Sequence, residues 1–519
     1  MLELVERRVA SFGARPCLDG RSALHALLKS KDLYSTSTLT VKTFDPKIFT
    51  ITSSGVVAAP LRDRLPPEGL ELMDQARRRI FRSARDWNQR QESGEVPPIY
   101  PYWDVRLRQS PALRLKLFKD LIACGLVGLR LRLRARAALF FVAKKDGTLR
   151  MIVDAREASA MCRRPPRTAL GSASAVASLD LCDEVITEAF GDEKVEIHGA
   201  SADLRQGFYQ LHWKEMGSMF GFDYPTSLGS FDGARVFDEE SSSYLDLPAE
   251  TLVYPVFEGL PMGWSWSLHF CNLITEDCLR VGVSRALGLA PSDIPVLREG
   301  GPLASLGSSR VVVASYVDNG NIIGTDQVTT DLALKGFLEE LDRRDLKYHE
   351  VEKAATVFVT GGTIFDFARR RCHAKPDRAW RLYVAMAKVL TMGGCTPAAL
   401  GVIVGHLTYH FMLLRPALAA MDHVYRYMDS NVHAFLRFPT DLVQEFRTLK
   451  GLIFLAVKSL GSPWSGMAYC SDACLSGYAL AECDLGSKMT RHCGRMLEKC
   501  VFANPLANTS SPFTTSPQA

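Results

Sequence analysis

Two aspartates stand where their type and setting could do chemistry: Asp203 in SADLRQGFYQL and Asp318 in VVVASYVDNGNIIG. Carboxylate oxygens are hard donors of the kind Mg2+ takes. Between two such groups, a pair of divalent ions about 4 Å apart can activate an attacking hydroxyl and neutralise a leaving pyrophosphate. Local spacing does not bring the two together, because more than a hundred residues separate them. The requirement therefore falls on the elements that carry them.

Residues 196–202 read as a short strand running into a turn or helix. Residues 311–324 read as a β-hairpin: an apolar β-branched run, an Asn-Gly turn at 319–320, and a second apolar run. If the strands neighbour each other in one sheet, both carboxylates leave it at the same end. Taken singly, each segment is also an ordinary strand and turn. Further signals surround them. Ser110 reads as an N-cap before Pro111, opening a helix with Leu113, Leu117 and Leu121 on one stripe. Next, LRLRLRARAALFF predicts one strand with Arg130, Arg132, Arg134 and Arg136 on one face. Residues 68–91 predict a helix carrying Arg77, Arg78, Arg79, Arg82 and Arg85, either a solvated face or a contact to phosphates. Residues 224–250 and 287–309 read as surface insertions. Beyond 377 the pattern is helical: Trp380, Tyr383, Ala387 and Leu390 share a face, Thr396 and Pro397 open a second helix, and 441–460 form a third.

The chain has 519 residues, enough for about three or four folded units. With 47% apolar and 23% charged residues it is neither a disordered tail nor a disulfide-held mini-protein. Lys and Arg number 62 against 57 Asp and Glu, a net +5 that permits a nucleic-acid partner without demanding one. The basic residues are concentrated between 106 and 167. No apolar run is long enough for a membrane span. The start lacks a signal-peptide core, and the 13 cysteines include no CxxC pair. These point to a reducing compartment, cytoplasmic or nuclear, and against secretion. No GxxxxGK[ST], GxSxG or HExxH run is present, which argues against P-loop, nucleophile-elbow and zincin chemistry.

Five segments in order resemble the reverse transcriptase family, in particular its retrotransposon members. KKDGTLRMIVDAR (144–156) is similar to a fingers segment. DLRQGFYQL (203–211) resembles the first palm motif and GLPMGWSWSLHFCN (259–272) the second. YVDN (316–319) resembles the YxDD box, and LEELDRRDLKYHEVEKAATVFVTGG (338–362) the fourth and fifth palm motifs. The resemblance covers roughly residues 110–430. It implies an α/β protein with an α+β palm: a right-hand polymerase with fingers, palm and helical thumb. It further implies an RNA-directed DNA polymerase that extends a primer on an RNA or DNA template with dNTPs, using two Mg2+ ions, with Mn2+ as a substitute.

Residue by residue, the resemblance makes Asp203 and Asp318 the metal-binding carboxylates, with the backbone carbonyl of Leu204 as a further ligand. Phe208 falls at the steric gate that excludes a ribose 2′-OH; core packing is the competing role for its ring. Lys144 or Lys145, with Arg150, would hold the triphosphate. Met262 and Gly263 would lie beneath the incoming nucleotide, where a backbone must approach closely. Lys353 would donate a proton to pyrophosphate, or be a solvated surface lysine. Gly361 and Gly362 fall at the turn of the primer grip. Asn319 departs from the family, whose box has a second aspartate here. The amide offers an oxygen and no charge, which weakens metal binding. Either the enzyme tolerates the change, or the chain is a decayed or domesticated nucleic-acid-binding relative.

The expected organisation is an N-terminal extension (1–100), fingers and palm (101–376), helical thumb and connection (377–460), and a final segment (461–519). In that last segment WSGMAYCSDACLSGYALAECD (464–484) resembles the first strand of a ribonuclease H domain, with Asp472 as its first metal ligand. Too little chain follows for a full ligand set, so a remnant without nuclease activity is expected. The closing ANTSSPFTTSPQA is expected to be disordered.

Overall fold

The computed structural model describes residues 2–29, 41–51, 55, 57–144, 146–301, 303, 305–307, 309–429, 434–474 and 477–495. The fold is mixed α/β, and helices and sheets alternate along the chain.

The element that matters most is a four-stranded antiparallel sheet. Its order is Val311–Tyr316, Asn319–Gly324, His198–Leu204, Tyr348–Ala355. The VVVA and NIIG runs are buried throughout, as strands shielded by helices require. Ser265–Leu287 and Gln327–Arg343 pack against this sheet and against each other. They meet at glycine: a Cβ on Gly282 would lie 2.4 Å from the Gly336 carbonyl oxygen. Gly199 and Gly320 serve the sheet in the same way, leaving room for the rings of Phe358 and Phe337.

The hairpin turns two residues earlier than Asn-Gly predicts. Tyr316 pairs with Asn319, so Val317 and Asp318 form the two-residue turn, with Val317 at φ 61°. Asn272 accepts a hydrogen bond from the Val317 N–H at 3.0 Å, and the Asp318 carbonyl accepts from the Leu204 N–H at 2.9 Å. These contacts from neighbouring elements hold a β-branched residue where local preference would place glycine.

A nine-stranded mixed sheet forms a second layer. It includes Val127–Arg130, Arg136–Ala143, Leu149–Asp154 and Leu252–Phe257. The arginine row is therefore two strands and not one. The chain leaves the ladder at 131–135, where the N–H groups of Arg134 and Ala135 both donate to the Ser218 carbonyl. Arg130 turns inward and is buried, paired with Glu258 at 2.8 Å and Glu239 at 3.0 Å. Glu239 comes from the expected surface insertion at 224–250. That stretch instead supplies Val236–Asp238 to the sheet and buries Phe231, Val236 and Phe237. The 287–309 stretch likewise buries Ile294, Leu297 and Leu306. The helix expected over 68–91 is broken into Pro67–Asp74, Ala76–Arg79 and Ala84–Glu92, with Phe81 bridging to Cys162 between the last two.

Capping chemistry is as expected where it is local. Ser110 caps Pro111–Ala123 through the Leu113 N–H, and Thr396 caps Pro397–Phe411 through the Ala399 N–H. The third C-terminal helix is shorter than expected. Thr440–Leu452 gives way to a 3-10 turn, and Val457–Ser459 then joins a small sheet beside Arg371–Ala374. The N-terminal helices Leu2–Ser11 and Gly20–Lys29 pack onto this helical unit. Phe12 is buried between His373 and Phe454, and Trp380 donates its indole N–H to the Phe12 carbonyl. The hairpin Met467–Cys474 with Gly477–Asp484 leads into the helix Gly486–Arg495; the Ser/Thr/Pro-rich tail lies outside the described residues.

Candidate active site

Asp203 is the next-to-last residue of its strand. Its register partners are Asn319 on one side and His349 on the other. Asp318 occupies the adjoining hairpin turn. Both carboxylates therefore leave the sheet at one end. The 3-10 turn Gly207–Gln210 follows directly, and glycine is required at its start: a Cβ on Gly207 would sit 3.1 Å from that of Asp318.

The electrostatics are those of two acids sharing a shielded place. The Asp203 carboxyl is pushed up to about 8, chiefly by burial, then by the charges of Asp318 and Glu350. Asp318 is also raised by burial, with Arg150 and His349 opposing. Asp203 Oδ1 and Asn319 Oδ1 are both buried without a hydrogen-bond partner. Unpaired buried oxygens on neighbouring strands are costly unless something cationic meets them. Among the described residues no set of three or more Asp, Glu, His or Cys gathers to hold a metal. The donor set is thus two carboxylates with neutral amide and backbone oxygens. That suits Mg2+, which takes one or two carboxylates and leaves other positions to water and substrate phosphate.

Arg150 acts electrostatically on both carboxyls, and Lys144 stands near Arg150. Arg150 is exposed on Leu149–Asp154 and its charge opposes the rise at both aspartates. Lys144 is half-buried, its ammonium lowered chiefly by burial and further by Arg150 and Arg205. Lys145 lies outside the described residues. The Tyr209 hydroxyl donates to the Met151 carbonyl and ties the 3-10 turn to the Arg150 strand. Phe208 on that turn is half-buried against the main core, so packing accounts for part of its ring. Gly263 has φ 114°, and its missing Cβ would lie 3.4 Å from the Val153 carbonyl oxygen on the same strand as Arg150. Met262 beside it is half-buried.

Other candidates stand apart. Lys353 is exposed on Tyr348–Ala355, four residues past His349, which is about 13 Å of extended chain. Gly361 and Gly362 form a turn with positive φ at both, and the Tyr409 hydroxyl donates to the Gly361 carbonyl. Asp472 is exposed on its hairpin, opposite Ala479. The sequence reading passed over His349, whose Nε2 is 4.0 Å from Asp203 Oδ2. Only the register of the sheet reveals it, and a bulge follows at Glu350, φ 49°. Arg205, two residues past Asp203, was legible as a basic residue inside a singled-out motif.

No family model matches the chain, and no curated protein matches it. Among solved structures it is similar to a foamy viral protease-reverse transcriptase in complex with double-stranded DNA. The TM-score is 0.43 and the identity 13%, over 86% of this chain and 70% of that one. A likeness of this degree decides nothing about chemistry.

Proposed function

We propose that this chain is a template-directed nucleotidyltransferase, an RNA-directed DNA polymerase that extends a primer with dNTPs. One observation carries the reading: Asp203 and Asp318 converge at one sheet end, the Asp203 and Asn319 Oδ1 atoms there are buried without a partner, and the charge of Arg150 acts on both carboxyls. In this reading Asp203, Asp318, the Leu204 carbonyl and the Asn319 amide oxygen hold two Mg2+ ions, or Mn2+. When bound, the ions supply the positive charge that activates a primer 3′-OH and stabilises the departing pyrophosphate. Arg150 binds the triphosphate in a fork, with Lys144 as a point charge beside it. Gly263 lets the backbone approach the incoming base, and the half-buried ring of Phe208 limits room for a 2′-OH. Lys353, exposed on the edge strand, is the candidate proton donor to pyrophosphate. Positioning and electrostatics do most of the work.

The finer architecture belongs to the same proposal. The four-stranded sheet is the palm, the sheet carrying Arg150 belongs to the fingers, and the helical unit after 376 is the thumb. The hairpin of Asp472 is a ribonuclease H remnant without nuclease activity.

A second reading has its own observation. Asn319 sits opposite Asp203 and contributes no charge, so the chain can be a nucleic-acid-binding relative that has lost catalysis. Primer extension on an RNA template separates the two. Activity in the wild type that is lost in Asp203→Ala supports the enzyme. Inactive wild type restored by Asn319→Asp supports decay. If Phe208→Ala leaves discrimination against rNTPs unchanged, the gate assignment is wrong.

A further inference from the structure

The sheet end that carries Asp203 presents a row of three polar residues. Asn319, Asp203 and His349 are register partners on three adjacent strands. Partners directly opposite in an antiparallel sheet project to the same face. The third member of the row brings an imidazole to the carboxylate. His349 Nε2 lies 4.0 Å from Asp203 Oδ2. That is too long for a hydrogen bond. Among the described residues the ring makes no hydrogen bond, so nothing else there consumes its nitrogen. Two donors each about 2.1 Å from one ion are at most about 4.2 Å apart, so this gap admits a shared ion.

The backbone holds the imidazole in this place from both sides. Buried Gln210, on the turn that follows Asp203, clasps Lys347. Its amide donates to the Lys347 carbonyl at 2.8 Å, and its Oε1 accepts from the Lys347 N–H at 2.6 Å. Tyr348 and His349 then keep ladder register with Leu204 and Asp203, and the register shifts immediately afterwards. Glu350 makes that break at φ 49°, a left-handed conformation that residues other than glycine seldom adopt. Bulges of this kind beside a site re-aim side chains and end pairing. The edge strand therefore enters the row clasped by Gln210 and leaves it at a bulge, with His349 fixed between.

The two carboxylates and the Asn319 amide oxygen suit a hard ion such as Mg2+. An imidazole nitrogen beside them is a softer donor, and first-row transition ions accept it where Mg2+ favours oxygen. With the ring proton on Nδ1, Nε2 is free to bind a metal. We propose that His349 is a metal ligand through Nε2, sharing an ion with Asp203, and that it biases the site toward first-row divalent transition ions over Mg2+. The proposal rests on the polymerase reading for its two carboxylates and deepens it by naming the class of ion.

The test is pulsed electron paramagnetic resonance of Mn2+ bound to the full chain, without dNTPs or nucleic acid. A directly bound imidazole nitrogen couples to the Mn2+ electron spin and modulates the echo decay. Nitrogen modulation is expected in the wild type and is expected to vanish in His349→Asn and in His349→Ala. Mn2+ affinity of His349→Asn should fall at least about tenfold, because loss of even an outer partner of a metal site costs that much. Its Mg2+ affinity, measured by calorimetry, should change by less than about twofold, since the new amide offers oxygen. The metal-free variants should melt with the wild type, because the His349 side chain is 44% exposed on an edge strand. Mn2+ bound without nitrogen modulation, modulation that survives in both variants, or Mn2+ and Mg2+ affinities that fall together would overturn the assignment and leave the carboxylate pair standing. A wild-type chain that binds no Mn2+ would overturn the carboxylate reading along with it.

Discussion

At the scale of single residues, the carboxyl of Asp203 governs what pH should do. Its folded value of about 8 stands above the ordinary 3.8. Between those values the folded protein holds a proton that the unfolded chain has lost. Stability without metal therefore falls as pH rises through this window. A bound divalent ion displaces the proton, so metal binding strengthens with rising pH. Two melting measurements check this, one without metal and one with saturating Mg2+, at about pH 6 and about pH 9. The stabilisation by Mg2+ should be larger at the higher pH, and Asp203→Asn should abolish the difference. Asn319→Asp adds a charge next to the pair and should tighten Mg2+ binding roughly tenfold, measured by calorimetry. The same change should lower the melting temperature of the metal-free protein.

At the scale of elements, the packing of Ser265–Leu287 on Gln327–Arg343 supports the sheet from behind. Because a Cβ on Gly282 meets a backbone oxygen and not a flexible side chain, Gly282→Val forces the helices apart. We expect a loss of about 1–3 kcal/mol, read from the urea midpoint. Sequence alone revealed what local chemistry decides. Ser110 and Thr396 cap helices wherever they are placed, and the β-branched runs form strands. The turn at Val317–Asp318 was not legible, because Asn272 and Leu204, distant in sequence, hold a conformation that Asn-Gly would have taken more easily. The inward turn of Arg130 was hidden for the same reason: its partners Glu239 and Glu258 lie more than a hundred residues away. His349 became a neighbour of Asp203 only through strand register.

At the scale of the molecule, the N-terminal helices and the C-terminal helical unit share one core that also buries imidazoles. His410 is lowered to about 4, and His406 and His373 are lowered as well, all chiefly by burial. Below the ordinary 6.5 the unfolded chain takes up protons that these folded rings refuse. The stability they leave intact above that value is lost as pH falls toward 4. For His410 the full loss is on the order of 3 kcal/mol. A urea series across this range should show the decline, and the conservative change His410→Gln should flatten it. No helix among the described residues is long and apolar enough to cross a membrane.

The central claim is that Asp203 and Asp318 grip the same divalent ions. Titration of the wild-type chain with Mn2+, followed by the loss of the free-ion paramagnetic resonance signal, tests it most directly. We expect saturable binding in the wild type, competed by Mg2+, and its loss in Asp203→Ala and in Asp318→Ala alike. Mn2+ binding that is absent from the wild type, or that survives unchanged in both variants, would contradict the account.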